Sequence, residues 1–351
     1  MDLACIVPPA ILENIARRGS PAQRERARRV LLLDARHRTV RLSRGPAGPA
    51  RVARPAAAPA APQRTVSTAD GAETLPGRLV RSEGAPATGD AAVDEAYDGL
   101  GATFGLYLDA YGRDSVDDAG LPLPATVHYG HDYDNAFWDG TQMVFGDGDG
   151  ELFNRFTIAV DVIGHELTHA VTEHDSGLVY QGQSGALNES VSDVFGSLVK
   201  QFALGQSADE ADWLIGAGLF TQQVQGVALR SMSAPGTAYD DDVLGVDPQP
   251  AHLRDYLDTS ADNGGVHTNS GIPNHAFYLV ATALGGKAWE VAGQIWYDAL
   301  RDESLAGDAD FAAFAAVTVS VAQSRFAADE TAAVRDGWTR VGVVPAAPRE
   351  G

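Results

Sequence analysis

The pentapeptide His165-Glu166-Leu167-Thr168-His169 carries the clearest chemical signal in this sequence. Histidines four residues apart on a helix lie on one face, a turn above each other, so both rings can reach one ion. Zinc binds neutral imidazole nitrogen, and a catalytic zinc site keeps one position open for water. Glu166 can then act as the general base on that water. The same pattern also occurs in ordinary helices whose histidines are surface or core residues.

A third ligand is expected from the segment 185–196, which contains Glu189 and Asp193. The first helix is expected to run from near Phe156 to the turn residues 175–177, and a second over 186–204. Two helices with a short connection pack antiparallel, which can return Glu189 to the level of the two histidines. Asp193 then lies on the same face, where it can accept the second ring proton of a ligand histidine. The alternative is an exposed acidic helix face.

With these motifs in place, the sequence resembles the thermolysin-like metallopeptidases, zinc enzymes whose third ligand is glutamate. The resemblance covers nearly all of the chain from about Thr65. It rests on six blocks in the same order, 135–138, 143–150, 165–169, 185–193, 230–232 and 262–267.

The resemblance implies a role for individual residues. The zinc ligands would be His165, His169 and Glu189, with Glu166 activating the water. The oxyanion of the tetrahedral intermediate would be stabilised by His267 and Tyr180, and Asp262 would orient His267. Donors aimed at developing negative charge are what amide hydrolysis needs. Taken without the family, a residue such as His267 is more often a hydrogen-bonded loop histidine. Tyr180 alone is most often a core or surface packing residue.

The resemblance also assigns the residues that hold substrate. Arg230 would bind the carbonyl after the scissile bond, while Asn135 and the carbonyl of Ala136 would bind the substrate backbone. Alone, Arg230 is typical of a surface ion pair. The pocket just past the scissile bond would be lined by Phe153, Phe156, Val162 and Leu229, which predicts cleavage before bulky apolar residues. Core packing is the alternative for these four.

One departure from the family concerns calcium. Extracellular members hold a double calcium site, and the matching Asp161 is present, but Lys200, Leu214 and Ala217 stand where acidic ligands are expected. A lysine cannot bind calcium, which takes six to eight oxygen ligands. We therefore expect a salt bridge between Lys200 and Asp161 in place of this site. Other calcium sites stay open.

Residues 1–64 differ in charge from the rest of the chain. They hold 13 arginines and 4 acidic residues, whereas the whole chain has a net charge of −21. Opposite charges favour docking of this segment onto the acidic body. Helices are expected near 11–18 and from Pro21 to about Ala35, with Ser20 and Gln23 forming a capping box. Residues 45–64 form a Pro- and Ala-rich linker.

We interpret residues 1–44 as a basic inhibitory pro-segment. It resembles that of the protealysin-like branch through Pro8-Pro9-Ala10-Ile11-Leu12, in which Pro8, Pro9 and Leu12 are the matching residues. The enzyme would then be a self-processing precursor, cleaved within the linker or near Arg64. Cys5, the single cysteine, is either a packed small residue or a thiolate that caps the zinc. Nucleic-acid or membrane-surface binding by the arginine-rich helix is the alternative.

The expected fold class is α+β with two lobes, as the resemblance also implies. A β-rich lobe over 65–172 includes the metal-binding helix, with strands at 125–129 and 142–145 and a helix near 90–111. A helical lobe covers 173–351, with helices over 272–283, 287–301, 309–325 and 329–340. The cleft between the lobes would hold an extended peptide beside an edge strand.

Three functions compete for this sequence. A zinc endopeptidase acting on peptides or proteins fits best. A zinc aminopeptidase would need an acidic anchor in a Gly-x-Met-Glu-Asn stretch, which is absent, and an inactive binding protein would have lost a ligand or the base. The charge argues against nucleic-acid binding by the mature body. A separate protein inhibitor is a further possible partner.

The location is expected to be cytoplasmic, or outside the cell after export without a classical signal. Pro8, Pro9 and Glu13 interrupt any apolar core in the first twenty residues, so these do not form a secretory signal. No stretch of 18 apolar residues occurs, which predicts no membrane span.

Overall fold

The computed structural model describes residues 5–44 and 60–345, with backbone only for the last residues of the second helix. The pro-segment folds as α1 (Pro9–Arg18) and α2 (Pro21–Arg44). The predicted capping box is present, since the Ser20 backbone N–H donates to Gln23 Oε1 at 2.8 Å and the Gln23 N–H to Ser20 Oγ at 3.3 Å. The second helix runs past the predicted end near Ala35 to Arg44. No proline or glycine interrupts that stretch, so nothing in the chain stops the helix there.

The β-rich lobe is built on one five-stranded sheet. Its strands are β1 (Arg64–Thr68), β2 (Arg78–Ser82), β3 (Leu123–Val127), β4 (Ala136–Trp138) and β5 (Met143–Phe145), in the order β2-β1-β3-β5-β4. The pairs β1/β3 and β3/β5 are parallel, and the outer strands β2 and β4 are antiparallel to their neighbours. Helix α3 (Ala91–Tyr111) packs on the sheet, capped by Asp90. The edge strand β4 thus faces the cleft.

Helices form the rest of the molecule. After a 3-10 turn at Phe156–Ile158 come α4 (Val160–His174) and α5 (Gly182–Leu204), which pack on each other between the lobes. The C-terminal helices are α6 (Asp262–Asn269), α7 (Gly271–Leu284), α8 (Ala292–Leu300), α9 (Phe311–Arg325) and α10 (Ala328–Arg340). Two pairings of two-residue strands and short turns fill residues 214–255, namely β6 (Leu214–Ile215) with β7 (Arg230–Ser231) and β8 (Asp240–Asp241) with β9 (Gly245–Val246). The predicted two-lobe α+β fold is confirmed.

Three helix starts differ from the sequence expectation. The helix expected from 186 begins four residues earlier, at Gly182. The first expected helix breaks at Ala159, whose φ of −103° and ψ of 102° are extended, so the α-helix begins only at Val160. The helix expected from 287 begins at Ala292. In addition, α6 contains Asn263, Gly264 and Gly265 in the left-handed region, a conformation that no hydrophobic period signals. None of the described helices combines the length and apolarity that a bilayer crossing requires.

Close packing of α4 on α5 depends on glycine. A Cβ at Gly196 would lie 2.4 Å from the Asp161 carbonyl oxygen and 3.1 Å from the backbone nitrogen of His165. At Gly164 it would lie 3.0 Å from the Val199 side chain. The backbone of α5 therefore reaches the backbone of α4 only because position 196 has no side chain.

Substituting Gly196→Ala should separate the two helices. We expect a loss of about 1–3 kcal/mol of stability from overpacking, together with weaker metal binding. Gly105→Ala on α3 is the matched control, because its Cβ would meet only Phe202 at 3.7 Å, an ordinary contact. Thermal unfolding and metal titration of both variants test this, and equal behaviour would contradict it.

Candidate active site

Three buried side chains on α4 and α5 converge on one point. His165 Nε2 lies 3.0 Å from His169 Nε2. Each of these nitrogens is 3.5 Å from a carboxylate oxygen of Glu189. Within residues 5–44 and 60–345, this is the one group of three or more histidine, cysteine or acidic side chains whose ligand atoms come so close together. The antiparallel pairing of the two helices has brought Glu189 to the level of the histidines.

Outer hydrogen bonds fix which nitrogen each histidine turns inward. His165 Nδ1 lies 2.8 Å from Asp193 Oδ1. His169 Nδ1 lies 2.8 Å from Asn188 Oδ1. Both partners are acceptors, so each Nδ1 carries the proton and each Nε2 offers a lone pair. Two lone pairs 3.0 Å apart repel each other unless a cation lies between them. Glu189 Oε2 is also buried without a hydrogen-bond partner, so the donor set fits a metal ion.

Asp193 connects the metal centre to the helical lobe. Its Oδ1 accepts from Arg230 as well as from His165, and its Oδ2 accepts from Arg230 Nε and from Asn274 Nδ2, each at 2.8 Å. Burial alone would raise the pKa of Asp193, but Arg230 and His165 hold it well below the ordinary value. The carboxylate therefore stays charged and keeps His165 oriented.

Glu166 lies at the floor of the cleft, fully buried between α4 and the edge strand. Its Oε2 accepts a hydrogen bond from the backbone N–H of Trp138 at 3.2 Å. The residue follows the ligand His165 on the helix, and the contact to β4 turns its carboxylate toward the cleft. This is the position that a general base for a metal-bound water requires.

A third histidine of the site, His267, faces the cleft from α6. His267 Nδ1 lies 2.8 Å from Asp262 Oδ1, and His267 Nε2 lies 3.1 Å from the carbonyl oxygen of Cys5. Both partners are acceptors, so both ring nitrogens donate and the ring is an imidazolium. Burial opposes this charge, but Asp262 and Glu189 outweigh it and raise the pKa of His267 to about 9. Tyr180 OH is 3.4 Å from His267 Nε2 and donates a short hydrogen bond to Glu189.

The pro-segment occupies the cleft in extended form. The Ile6 backbone N–H donates to the Ala136 carbonyl at 3.2 Å, and the Val7 N–H donates to Asn135 Oδ1 at 3.0 Å. Arg230 Nη1 donates to the Ile6 carbonyl at 3.1 Å. The segment runs antiparallel to β4, so it adds a short strand to the sheet edge. The Asn135 and Arg230 side chains and the Ala136 carbonyl, which the resemblance assigns to the substrate backbone, therefore all bind the chain's own backbone.

The other expected pro-segment and pocket residues are placed as follows. Pro8 is the N-cap of α1 and Pro9 is its first residue. The two prolines therefore mark the point where the extended segment ends and the helix begins. Leu12 is fully buried. The four pocket residues are no more than 1% exposed, and two of the rings stack at 5.8 Å: Phe153, Phe156, Val162 and Leu229. Core packing gives the same burial, so their pocket role stays a prediction.

Cys5 presents its carbonyl to the site. Its thiol is outside the group of atoms close enough to share a metal ion. Burial, together with the carboxylates of Asp34 and Glu166, raises the pKa of the thiol well above its ordinary value. The contact of this residue with the catalytic centre is therefore through the backbone.

Comparison with known proteins decides the family. A model of the thermolysin metallopeptidase catalytic domain matches residues 55–173, and a model of the thermolysin metallopeptidase alpha-helical domain matches residues 176–343. The chain belongs to the thermolysin family of metallopeptidases. It is therefore a peptide-bond hydrolase, and zinc is the metal that this family implies for the three ligands.

Thermolysin-family relatives match over almost the whole chain. An extracellular metalloprotease of Pectobacterium carotovorum subsp. carotovorum is 52% identical over 341 residues, covering 97% of this chain and 96% of that protein. Protease PrtS of Photorhabdus sp. (strain Az29) is 47% identical, covering 96% and 91%. The solved structure of the precursor of protealysin, a metalloproteinase from Serratia proteamaculans, has a TM-score of 0.89 at 54% identity, covering 97% of this chain and 100% of that one. These matches place this thermolysin-family peptidase in the protealysin branch.

Several residues of this peptidase site escaped the sequence argument. Asn188 orients His169, and its position directly before Glu189 was the only available signal. Asp34 of α2 accepts from Tyr133 OH at 2.6 Å and from Asn135 Nδ2 at 3.0 Å. The carboxyl is 2% exposed, and burial raises its pKa to about 6 although both donors oppose this. It holds the amide group that would otherwise meet substrate.

Asn188→Ala should weaken zinc binding by about 10- to 100-fold, because His169 loses the acceptor that fixes its tautomer. Competition with a chromophoric chelator measures this. Ser192→Ala is the matched comparison, since Ser192 Oγ is also 3.1 Å from His169 Nδ1. A larger loss in the serine variant than in the asparagine variant would contradict the assignment.

Proposed function

We propose that this chain is the precursor of a zinc endopeptidase and that its pro-segment binds the cleft as a substrate analogue. The observation that carries the proposal is the set of backbone contacts around one peptide bond. The Cys5 carbonyl meets His267, and the Ile6 N–H and C=O meet Ala136 and Arg230. The Cys5–Ile6 bond thus lies between the group expected to bind the oxyanion and the groups expected to bind the residue after the scissile bond.

Each residue of the site has a separate proposed role in amide hydrolysis. His165, His169 and Glu189 would hold the zinc, which would act as a Lewis acid and lower the pKa of a bound water. Glu166 accepts a proton from the attacking water and passes it to the leaving amine. His267, held as an imidazolium by Asp262, donates to the oxygen that becomes negative, and Tyr180 adds a second donor. Arg230 and Asn135 hold the substrate backbone so that the carbonyl stays aligned.

Ile6 also supports the predicted specificity. It is fully buried in the position that follows the bond at the catalytic centre. A branched apolar side chain there agrees with cleavage before bulky apolar residues. The blocked ends of a test peptide separate endopeptidase from aminopeptidase activity, since an aminopeptidase needs a free amine.

We propose that maturation cleaves the chain before Arg64. This residue starts β1, and its guanidinium makes two hydrogen bonds to Glu83, at 2.6 and 2.7 Å, and one to Tyr97 OH at 2.9 Å. Cleavage beyond it would cut a strand of the sheet. The predicted linker over 45–64 contains the remaining candidates, and residues 45–59 lie outside the described part of the chain. The Serratia structure is itself described as a precursor, which supports the same state here.

The full chain with zinc should shorten by about the first sixty residues, while the Glu166→Gln variant should stay intact, because the amide cannot act as a base. Intact mass spectrometry over time follows both. Equal shortening of the two would assign processing to another protease. The processed wild type should also cleave an internally quenched peptide blocked at both ends, faster when leucine rather than aspartate follows the scissile bond. Failure to cleave either peptide would contradict the proposed activity.

We further propose that Lys200 replaces a calcium ion. Its ammonium donates to Asp161 at 3.0 Å, to Asp212 at 2.8 Å and to the Leu214 carbonyl at 2.7 Å. Burial opposes the charge, but the two aspartates outweigh it and raise the pKa of Lys200. Asp161 is 1% exposed, and its Oδ2 also accepts the Gly216 N–H at 3.1 Å. One fixed positive charge thus stands where other family members hold divalent ions.

Lys200→Met should destabilise the protein by about 3–5 kcal/mol, because it leaves Asp161 buried without its cation. Lys287→Met, at a half-buried lysine whose ammonium donates to the Gly205 carbonyl rather than to a buried carboxylate, is the matched control. Millimolar calcium should leave the thermal unfolding of the wild type unchanged. A calcium-soaked crystal with an ion bound to Asp161 would overturn the proposal.

The location of the mature enzyme stays a prediction. The Pectobacterium relative is named an extracellular metalloprotease, whereas the sequence favoured the cytoplasm or export without a classical signal. Fractionation of the producing cells, with immunodetection in medium and lysate, decides between the two.

A further inference from the structure

Three acidic residues lie beside the substrate cleft and receive an arginine from the pro-segment. Arg26 of α2 is 2.6 Å from Glu151 Oε2 and 3.3 Å from Asp149 Oδ2. Gln23, one turn earlier, donates to the same Glu151 oxygen at 3.2 Å. The Asp134 carboxyl, 2% exposed, lies within electrostatic range of Arg26 and accepts the backbone N–H of Asp149. We call Asp134, Asp149 and Glu151 the acidic subsite.

Asp149 is held rigidly for this contact. Its Oδ1 accepts from the backbone N–H groups of Glu151, Leu152 and Phe153 at 2.9, 2.7 and 3.0 Å. The side chain is only 2% exposed, and its other oxygen points at Arg26. The loop therefore fixes a charged oxygen in place, whether or not the pro-segment is present.

Arg26 fits this subsite incompletely. Its Nε is buried without a hydrogen-bond partner, and so is Asp134 Oδ1. Both unsatisfied atoms belong to polar groups that cost free energy to bury unpaired. An imperfect fit suits an occupant that has to leave when the enzyme matures.

The subsite adjoins the primed side of the cleft, on which residues after the scissile bond bind. Asp134 precedes Asn135, which holds the Val7 backbone. The loop that carries Asp149 is tied to this stretch, since the Gly146 N–H donates to the Asn135 carbonyl at 3.0 Å and the Gly148 N–H to the Tyr133 carbonyl at 3.3 Å. A substrate that runs past the position of Val7 therefore meets these carboxylates.

We propose that the acidic subsite binds an arginine side chain of the substrate, located two to four residues after the scissile bond, and that Arg26 fills it in the precursor. The inference rests on the proposed endopeptidase function. A guanidinium presents five donors on a planar fork and can bridge separate carboxylates. A metal ion needs ligand atoms clustered around one point, and in the described ranges only the zinc ligands are so clustered. Loss of Arg26 at maturation leaves the carboxylate of Asp149, still held by three backbone N–H groups, without its cation, which favours a positively charged replacement.

The test compares paired peptides on the processed enzyme. Each peptide is blocked at both ends, has leucine after the scissile bond, and carries either arginine or glutamine at the second, third or fourth position after that bond. At one of these positions, kcat/KM for the arginine peptide should exceed that for the glutamine peptide by about tenfold, as expected for a partly buried charge-assisted contact. The ratio should fall as salt is added.

Two variants and one control identify the residues. Asp149→Asn keeps an oxygen for the three backbone N–H groups but removes the charge, and Glu151→Gln removes the second charge. Each should bring the ratio close to one. Asp147→Asn is the matched control, because Asp147 lies in the same loop but pairs with His128 at 2.8 Å, and it should keep the wild-type ratio.

Several outcomes overturn the inference. The acidic subsite would be ruled out if the arginine-to-glutamine ratio of kcat/KM were near one at every position in the wild type. It would also be ruled out if this ratio fell equally in the Asp147→Asn control. Calcium binding that Asp149→Asn abolishes, without any preference for arginine, would make it a cation site instead. Absence of cleavage of every peptide would contradict the proposed function itself, and the subsite with it.

Discussion

The buried contact between Asp193 and Arg230 is the constraint on which the rest of this site depends. One carboxylate orients the zinc ligand His165, holds the arginine that grips the backbone in the cleft, and accepts an amide from Asn274 on α7. A buried charge pair of this kind is tolerated only when nearly every lone pair and proton is used. The orientation of His165, the arginine that binds the Ile6 carbonyl and the packing of α7 are therefore coupled through a single side chain.

The backbone N–H and C=O groups of the pro-segment find their hydrogen-bond partners among the polar groups of the site. Backbone groups of residues 5–7 bind where substrate would, and Asp34 binds the amide of Asn135 from the other side. An empty cleft would leave these donors and acceptors to water. Docking instead brings a basic segment onto an acidic body. Electrostatic attraction between the two then helps to hold the segment in the cleft.

Most of the helices and strands and the three metal ligands could be predicted from the sequence, because they depend on spacing between nearby residues. The interval of four between His165 and His169 and the short turn before α5 were enough to place the metal ligands. The break at Ala159 and the left-handed residues of α6 were missed, since tertiary contacts and single backbone angles decide them. The end of α2 was predicted too early, although no proline or glycine stops the helix near Ala35. Asp34 and Asn188 were missed for a related reason: no pattern along the chain indicates which distant group a lone polar side chain will meet.

The added strand formed by the pro-segment has a consequence for biosynthesis. Val7 forms a hydrogen bond with a residue 128 positions later in the chain. The ribosome therefore synthesises the segment that pairs with β4 before it synthesises β4 itself. An open strand edge is a template for pairing with other chains, and partly folded nascent proteins are the species most exposed to that hazard. The segment that lies in the cleft is therefore available, from the start of synthesis, to cover the edge of β4 as soon as that strand forms.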